Sequence, residues 1–142
     1  MVSVAHLLKS KGNQVYSVTP QDSVLRAIEM MATRHVGALL VMEQGILKGI
    51  ISERDYARKV ILKQRSSHDT PVGDIMTAAP TTVTPDSTVY QCMELMTKGR
   101  FRHLPVVQGG RVLGVLSIGD LVKAVIEDQS QTIEQLERYI AG

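Results

Sequence analysis

The chain has 142 residues, of which 44% are hydrophobic and 21% charged, with 16 Lys and Arg against 14 Asp and Glu and a net charge of +2. This composition is typical of a folded domain with its own core, and the even charge balance excludes bulk attraction to nucleic acid or to a membrane surface. The apolar runs are too short to cross a bilayer and the N-terminus shows no secretory signal, so we expect a cytoplasmic protein. The single cysteine, Cys92, lies in an apolar helical stretch and is predicted to be a buried structural thiol.

The sequence contains an internal duplication. Residues 18–60 align without a gap with residues 83–125. Both copies begin with a short apolar segment that ends in proline, "SVTP" and "TVTP", and both later carry the pattern Gly-apolar-apolar-Ser-x-x-Asp, as "GIISERD" and "GVLSIGD". Since neither copy is large enough to bury the faces of its own sheet and helices, we expect the two copies to pack together.

Each copy predicts the element order β-α-β-β-α. The proline-ended segment predicts a short strand, and an amphipathic helix follows because apolar residues recur at i, i+4 and i+7. These residues are Val24, Ile28 and Met31 in the first copy and Val89, Met93 and Met96 in the second. Two apolar segments around a Gly-containing turn then predict a β-hairpin, and a second helix closes the copy. The predicted fold class is α/β (α+β), with the sheets of the two copies packed about a pseudo-twofold axis.

The segments outside the duplication set the predicted boundaries. We expect a first repeat with an N-terminal helix at 1–65 and a second repeat with a linker turn and a C-terminal helix at 66–142, together forming one module. The polar linker places His68 in a solvated loop and ends in a short apolar turn. The C-terminal helix carries an apolar stripe that packs either on its own body or on a partner subunit, and the stripe consists of Ile133, Leu136 and Ile140.

A serine and an aspartate stand at the same strand-to-helix junction in both copies, as Ser52 and Asp55 and then as Ser117 and Asp120. One interpretation is structural, because this spacing is close to a helix capping box. The other is a ligand site, because the junction is repeated in register, follows a strand end and opens a helix whose N–H groups attract anions. A carboxylate suits the paired hydroxyls of a ribose and a serine hydroxyl suits a phosphate oxygen, and a cap leaves lone pairs for both.

These features resemble the CBS domain, named after cystathionine β-synthase, and the tandem resembles the CBS pair known as a Bateman module. The resemblance covers residues 10–127 and rests on the repeat order, the two Ser-x-x-Asp junctions and phrases such as "VGALLV", "DIMT" and "FRHLPVV". The phrases are similar to those of stand-alone bacterial CBS-pair proteins and their plant organellar relatives. The resemblance implies adenosine-containing ligands in two clefts between the repeats, with the aspartate on ribose and the serine on phosphate.

The resemblance also implies that each cleft combines the Ser-x-x-Asp of one repeat with strand residues of the other. The candidates for the first cleft are Ser52, Asp55, Met76, Thr77, Thr81, Phe101, Arg102 and His103. The candidates for the second are Lys11, Tyr16, Val36, Gly37, Ala38, Ser117 and Asp120, and Arg54 is a candidate for either. Because Arg102 and His103 add cations, we expect the first cleft to hold the more anionic part of a nucleotide. A surface ion pair for Arg102 and simple partial burial for His103 are the alternatives.

No nucleophile–base pair or Gly-rich phosphate loop is visible, so the chain is predicted not to be an enzyme and to use no catalytic cofactor. The predicted function is regulatory signal transduction: AMP, ADP, ATP, NAD or S-adenosylmethionine binds, and an unidentified downstream protein senses the change. The alternative is a ligand-independent dimeric scaffold for an enzyme or transporter, and nucleic-acid binding is the weakest option. The resemblance implies a homodimer that forms through the apolar faces of the closing helices. The same faces could instead belong to the internal core, and their residues are Ala57, Val60, Ile61, Leu121, Val122 and Val125.

Overall fold

The computed structural model describes residues 2–12 and 14–141 and has the mixed α/β composition that the sequence predicts. The elements of the first part of the chain are α1 (Val4–Lys11), β1 (Ser17–Val18), α2 (Val24–Arg34), β2 (Ala38–Glu43), β3 (Ile46–Ser52) and α3 (Glu53–Tyr56), which continues into a π-helical turn (Ala57–Ile61). They are followed by α4 (Val72–Ile75), β4 (Thr77–Ala78), α5 (Val89–Gly99), β5 (His103–Gln108), β6 (Arg111–Ser117) and the long α6 (Ile118–Ala141).

The chain divides into two compact units. The first-repeat unit contains residues 14–81 and 109–112, and the second-repeat unit contains residues 82–108 and 113–142 together with the N-terminal residues 1–13. Helix α1 therefore belongs to the second-repeat unit and α4 to the first-repeat unit. The units group the chain differently from the boundary between residues 65 and 66 that the sequence predicts.

The first-repeat unit is built on a four-stranded sheet with the order β1-β2-β3-β4. Strand β1 pairs in parallel with β2, and β2, β3 and β4 are antiparallel neighbours. The hairpin turn between β2 and β3 is Gln44–Gly45, where both residues have positive φ, as a two-residue turn that matches strand twist requires. Helix α2 begins after Ser23, whose side chain accepts from the Arg26 N–H, and ends at His35 in the left-handed conformation.

The second-repeat unit contains β5, β6 from Leu113 onward, α5, α6 and α1. Its core joins Val4 and Leu7 of α1 to Leu104, Leu116 and other buried residues of the repeat. The N–H of Val4 donates to the Ser87 carbonyl at 2.8 Å, which fixes the start of α1 on this unit. The core also contains the fully buried Cys92, which confirms the prediction for this thiol, and burial raises its pKa.

The first strand of the second repeat is shorter than predicted, because "TVTP" contributes only one parallel bridge, between Val83 and Val106. In the first repeat the N–H of Leu40 donates to the Tyr16 carbonyl and extends the pairing by one step. The residue at the corresponding place in the second repeat is Pro105, which has no N–H to donate. One proline therefore accounts for the lost strand pairing.

A glycine three residues before the serine of each Ser-x-x-Asp lets a neighbouring segment approach its strand closely. A side chain at Gly49 would place its Cβ 2.7 Å from the Thr77 carbonyl oxygen and 2.8 Å from the Met76 sulfur. A Cβ at Gly114 would lie 2.7 Å from a methyl carbon of Leu8 in α1. Packing therefore requires glycine at position 49, where a backbone atom is in the way, whereas at position 114 only the end of a flexible side chain is.

The predicted helix faces divide between core and surface. Val24, Met31, Val89 and Met96 are buried, which confirms the predicted faces of α2 and α5 and the role of the methionines as core residues. The closing helices are mixed, because Val60 and Leu121 are buried whereas Ile61 and Val122 are exposed, and Ala57 lies on the exposed side while Val125 packs against the core.

The C-terminal part of α6 carries its apolar stripe on the surface. Ile133, Leu136 and Ile140 are all exposed. The stripe therefore does not pack on the body of its own chain, which was the first of the two options that the sequence left open. His68 is exposed beside Asp69, as predicted for a solvated loop. None of the helices in the described parts of the chain is both long and apolar enough to traverse a bilayer.

Candidate functional site

The junction of the first repeat is a complete capping box. The Ser52 N–H donates to Asp55 Oδ2 at 2.9 Å, and the Asp55 N–H donates back to Ser52 Oγ at 3.2 Å. The Ser52 hydroxyl also lies 3.0 Å from the same carboxylate oxygen. The structural interpretation of this junction is therefore confirmed, and it leaves open whether the same side chains also contact a ligand.

Lys59 is a partner of this junction that sequence reasoning missed. Its ammonium lies 3.1 Å from Asp55 Oδ1 and donates at 2.9 Å to the Ile75 carbonyl at the end of α4. The carboxylate is only 13% exposed and the lysine 45%. The i, i+4 spacing of the two residues was the available signal, since it places opposite charges side by side on a helix.

The junction of the second repeat repeats the cap but recruits a distant lysine. The Ser117 N–H donates to Asp120 Oδ2 at 2.8 Å and the Asp120 N–H donates to Ser117 Oγ at 3.2 Å. The ammonium of Lys11, the last residue of α1, lies 2.6 Å from the same Oδ2 and also donates to the Val115 carbonyl. The structure therefore brings together three of the predicted candidates, Lys11, Ser117 and Asp120.

The surroundings of this second junction lower the pKa values of Asp120 and His103. Burial alone would raise the pKa of Asp120, but the hydrogen bonds from Lys11 and Ser117 and the Lys11 charge outweigh it, so the pKa falls below the ordinary carboxyl value. His103, at the start of β5, has a pKa lowered first by burial and then by the positive charge of Lys11, which the Asp120 charge only partly offsets. His103 is consequently a neutral imidazole at neutral pH.

The lowered pKa of His103 predicts a pH dependence of stability. Because the unfolded chain binds the proton more tightly, stability is complete above the ordinary histidine pKa of 6.5 and decreases as the pH falls below it toward the folded-state value. Thermal unfolding of the wild type between pH 7.5 and 5 should show this decrease, and His103→Gln should reduce its slope. A slope that is the same in the wild type and in His103→Gln would contradict the prediction.

The other candidates lie close to the junction of their own repeat or at element ends. Ala38 is the register partner of Ser52, and the Gly37 carbonyl accepts from the Glu53 N–H at 3.0 Å. Correspondingly, the Arg102 carbonyl accepts from the Ile118 N–H at 2.9 Å. Each strand start therefore flanks the Ser-x-x-Asp of the same repeat. The predicted combination of candidates from different repeats stays a prediction.

Several of the remaining candidates have identifiable packing or pairing roles. The Tyr16 ring lies 5.0 Å from the Arg34 guanidinium, a cation–π distance, and Val36 packs against the core of the first-repeat unit. Phe101 packs against the core of the second-repeat unit. Met76 follows α4, Thr77 pairs with Ile50, Thr81 is exposed, and Arg54 lies in α3. The positions of Tyr16, Val36, Phe101 and Thr77 therefore follow from packing or pairing within their own unit.

A cavity of about 390 Å³ opens beside the second junction, within the second-repeat unit. Helices α1 and α6 form its walls, and the side chains that face it include His6, Ser10, Lys11, Asp120, Lys123 and Glu127. Within residues 2–12 and 14–141, no group of three or more His, Cys, Asp or Glu side chains could hold a metal ion. The site chemistry is therefore that of paired charges and hydroxyls around a cavity.

Comparison with known proteins identifies the family. The family model of the CBS domain matches residues 4–62 and 72–127, which is well over half of the chain. The chain is 42% identical over 149 aligned residues to the mitochondrial CBS domain-containing protein CBSX3 of Arabidopsis thaliana, covering 99% of this chain and 72% of that protein. This protein therefore belongs to the CBS-domain family and carries the domain twice.

Solved structures support the same conclusion. A candidate signal-transduction protein with CBS domains from Burkholderia ambifaria MC40-6 is 50% identical, with a TM-score of 0.87, and the match covers 90% of this chain and 96% of that one. The CBS domain pair of protein MJ0100, in complex with 5′-methylthioadenosine and S-adenosyl-L-methionine, is 22% identical with a TM-score of 0.80 over 90% of this chain and 98% of that one. The second likeness is one of fold.

Proposed function

We propose that this protein is a regulatory module that binds adenosine-containing ligands, AMP, ADP, ATP or NAD, at its two Ser-x-x-Asp junctions. The observation that carries the proposal is the recurrence of one arrangement in both repeats: a partly buried carboxylate, held by a serine N–H and paired with a lysine, at the end of a strand. A helix cap requires the serine and the acid but requires no lysine. The added charge pairing gives each junction acceptors and donors suited to a sugar phosphate.

The chemistry of a ribose fits the carboxylates. A carboxylate has two oxygens with about four lone-pair positions, and the capping N–H uses only one of them. Two vicinal hydroxyls can therefore donate to Asp55 or Asp120 while the capping N–H stays in place, with the lysine at each junction as their competitor. The adenosine-containing ligands of the MJ0100 pair support the proposal, because they are bound by a CBS pair of the same fold.

We also propose how binding would be transmitted. A ligand that binds one arrangement of the module better than another shifts the population toward it, and a downstream protein partner senses the shift. The proposed assembly is a homodimer, and the proposed location is the cytoplasm, although the Arabidopsis relative is named as mitochondrial. The residues that complete each site stay as predicted from the sequence.

The scaffold alternative has one observation in its favour, the exposed apolar stripe at the end of α6. A scaffold that acts through this stripe would dimerise or bind a partner with no nucleotide present. A surface of this kind is common to regulators with and without ligands, so it does not by itself favour the scaffold over the nucleotide sensor.

Thermal unfolding with a panel of AMP, ADP, ATP, NAD and S-adenosylmethionine tests the proposal. A ligand that binds only the folded state should stabilise it by about 2.7 kcal/mol at a hundredfold excess over Kd. We expect such a shift with at least one adenine nucleotide, and the uridine counterpart, which carries the same ribose and phosphate, measures how much of the shift depends on the base. Unfolding that is unchanged by every compound of the panel would contradict the proposal and favour the scaffold.

A further inference from the structure

The two lysines that hold the junction carboxylates come from different places in the chain. Lys59 lies one turn after Asp55 on the same helical segment, so that pair forms wherever the helix forms. Lys11 reaches Asp120 from another helix, α1, and the two side chains keep 34% and 25% of their surface exposed. The second pair is a tertiary contact that can open without unwinding a helix.

Lys11 occupies the carboxylate that the proposed function assigns to ribose. Its ammonium and the Ser117 N–H converge on the same atom, Asp120 Oδ2. A pair of vicinal hydroxyls that engages both oxygens of Asp120 must therefore compete with the ammonium at Oδ2. A displaced Lys11 keeps the Val115 carbonyl as an acceptor but loses the charge-assisted hydrogen bond to its counter-ion.

The cavity beside the Lys11–Asp120 pair is where the displaced ammonium could contact a phosphate of the ligand. Lys11 and Asp120 both line it, and its volume of about 390 Å³ is large enough for a sugar phosphate. Lys123 lines the cavity, but Glu127 and Asp128 do as well. Since the lining carries both signs of charge, selectivity for an anion depends on Lys11 itself and not on the net charge of the cavity.

We infer that Lys11 makes the second-repeat junction selective for ribose ligands that carry a phosphate over uncharged nucleosides. When a nucleoside binds, its ribose hydroxyls displace the Lys11 ammonium from Asp120, and the ammonium is left without an anion. When a nucleotide binds, its phosphate pairs with the displaced ammonium in place of the carboxylate. The first junction differs, because Lys59 lies one helical turn after Asp55 on the same segment and stays beside the carboxylate, whereas Lys11 reaches Asp120 from another helix. The inference rests on the proposed function, since it concerns the same carboxylate.

Calorimetric titration with AMP and with adenosine tests the inference in an Asp55→Asn variant, in which only the second-repeat junction keeps its carboxylate. In an Asp55→Asn background, Lys11→Met should bind adenosine about twofold to fivefold more tightly, because the competing ion pair is gone. It should bind AMP about tenfold more weakly, because the phosphate loses a charge-assisted hydrogen bond. Lys11→Gln should behave in the same way, and Lys9→Met, which removes an exposed lysine from the same helix, should keep the affinity ratio of the parent.

The outcomes separate this inference from the proposed function. If the wild type binds neither AMP nor adenosine, the proposed function fails and the inference fails with it. If the wild type binds AMP and the Asp55→Asn chain does not, or if the ratio of AMP to adenosine affinity is the same with and without Lys11, the inference alone is overturned. Unfolding temperatures near that of the parent establish that each variant is folded.

Discussion

The double variant Asp55→Asn/Asp120→Asn is expected to lose nucleotide binding and remain folded. Asparagine keeps one side-chain oxygen, which can still accept from the Ser52 or Ser117 N–H and preserve the cap. It has no second carboxylate oxygen and no charge, so a ribose hydroxyl loses its acceptor. Loss of a hydrogen bond to a charged group corresponds to about tenfold to hundredfold in affinity at each junction.

The alanine variants of the same residues provide the control that separates capping from binding. Asp55→Ala/Asp120→Ala should lose affinity in the same way and should also lose stability, by about 1 kcal/mol for each lost hydrogen bond to a serine N–H. Calorimetry with AMP and denaturant unfolding of both double variants give the two quantities. Nucleotide affinity that survives the asparagine changes in a folded sample would show that the carboxylates are helix caps only.

The second large effect, a loss of folding stability, is expected for Gly49→Ala. An alanine Cβ there would meet the Thr77 carbonyl oxygen at 2.7 Å, and a backbone atom of a paired strand cannot move aside cheaply. We expect Gly49→Ala to destabilise the fold by about 1–3 kcal/mol. Denaturant unfolding measures this difference.

Gly114→Ala is the matched control in the other repeat. Its Cβ would meet only the end of the Leu8 side chain, which can change rotamer at about 0.5–1.5 kcal/mol. The smaller entropy of the unfolded chain offsets about 0.4–1 kcal/mol of that, so the variant should be nearly neutral. Equal destabilisation at Gly49 and Gly114 would contradict the distinction between backbone and side-chain contacts.

Local patterns in the sequence predicted the elements and the caps. The i, i+4, i+7 spacing of Val24, Ile28 and Met31 identified the core face of α2, and the Ser-x-x-Asp spacing identified both junctions, because helix faces and caps depend on residues within one or two turns. The sequence also contained the signal for the shortened first strand of the second repeat, which is Pro105. It was overlooked because the effect of a missing N–H depends on the strand that lies opposite.

Long-range pairing was not predictable in the same way. Lys11 was a candidate for the second site, but its direct contact with Asp120 depends on the packing of α1, which no local periodicity encodes. The grouping of α1 with the second repeat was missed for the same reason. Lys59 is the opposite case, because its i, i+4 relation to Asp55 was visible and only its importance was overlooked.

The exchange of helices between the sequence halves has a consequence for how the chain can be divided. Val4 and Leu7, near the beginning of the chain, cover part of the core that the last third of the chain builds. A fragment that starts after residue 65 would expose this apolar face to water and would tend to aggregate. During synthesis, the earliest helix must likewise wait for the last strands to emerge before it can dock, so the duplication did not produce two halves that mature independently.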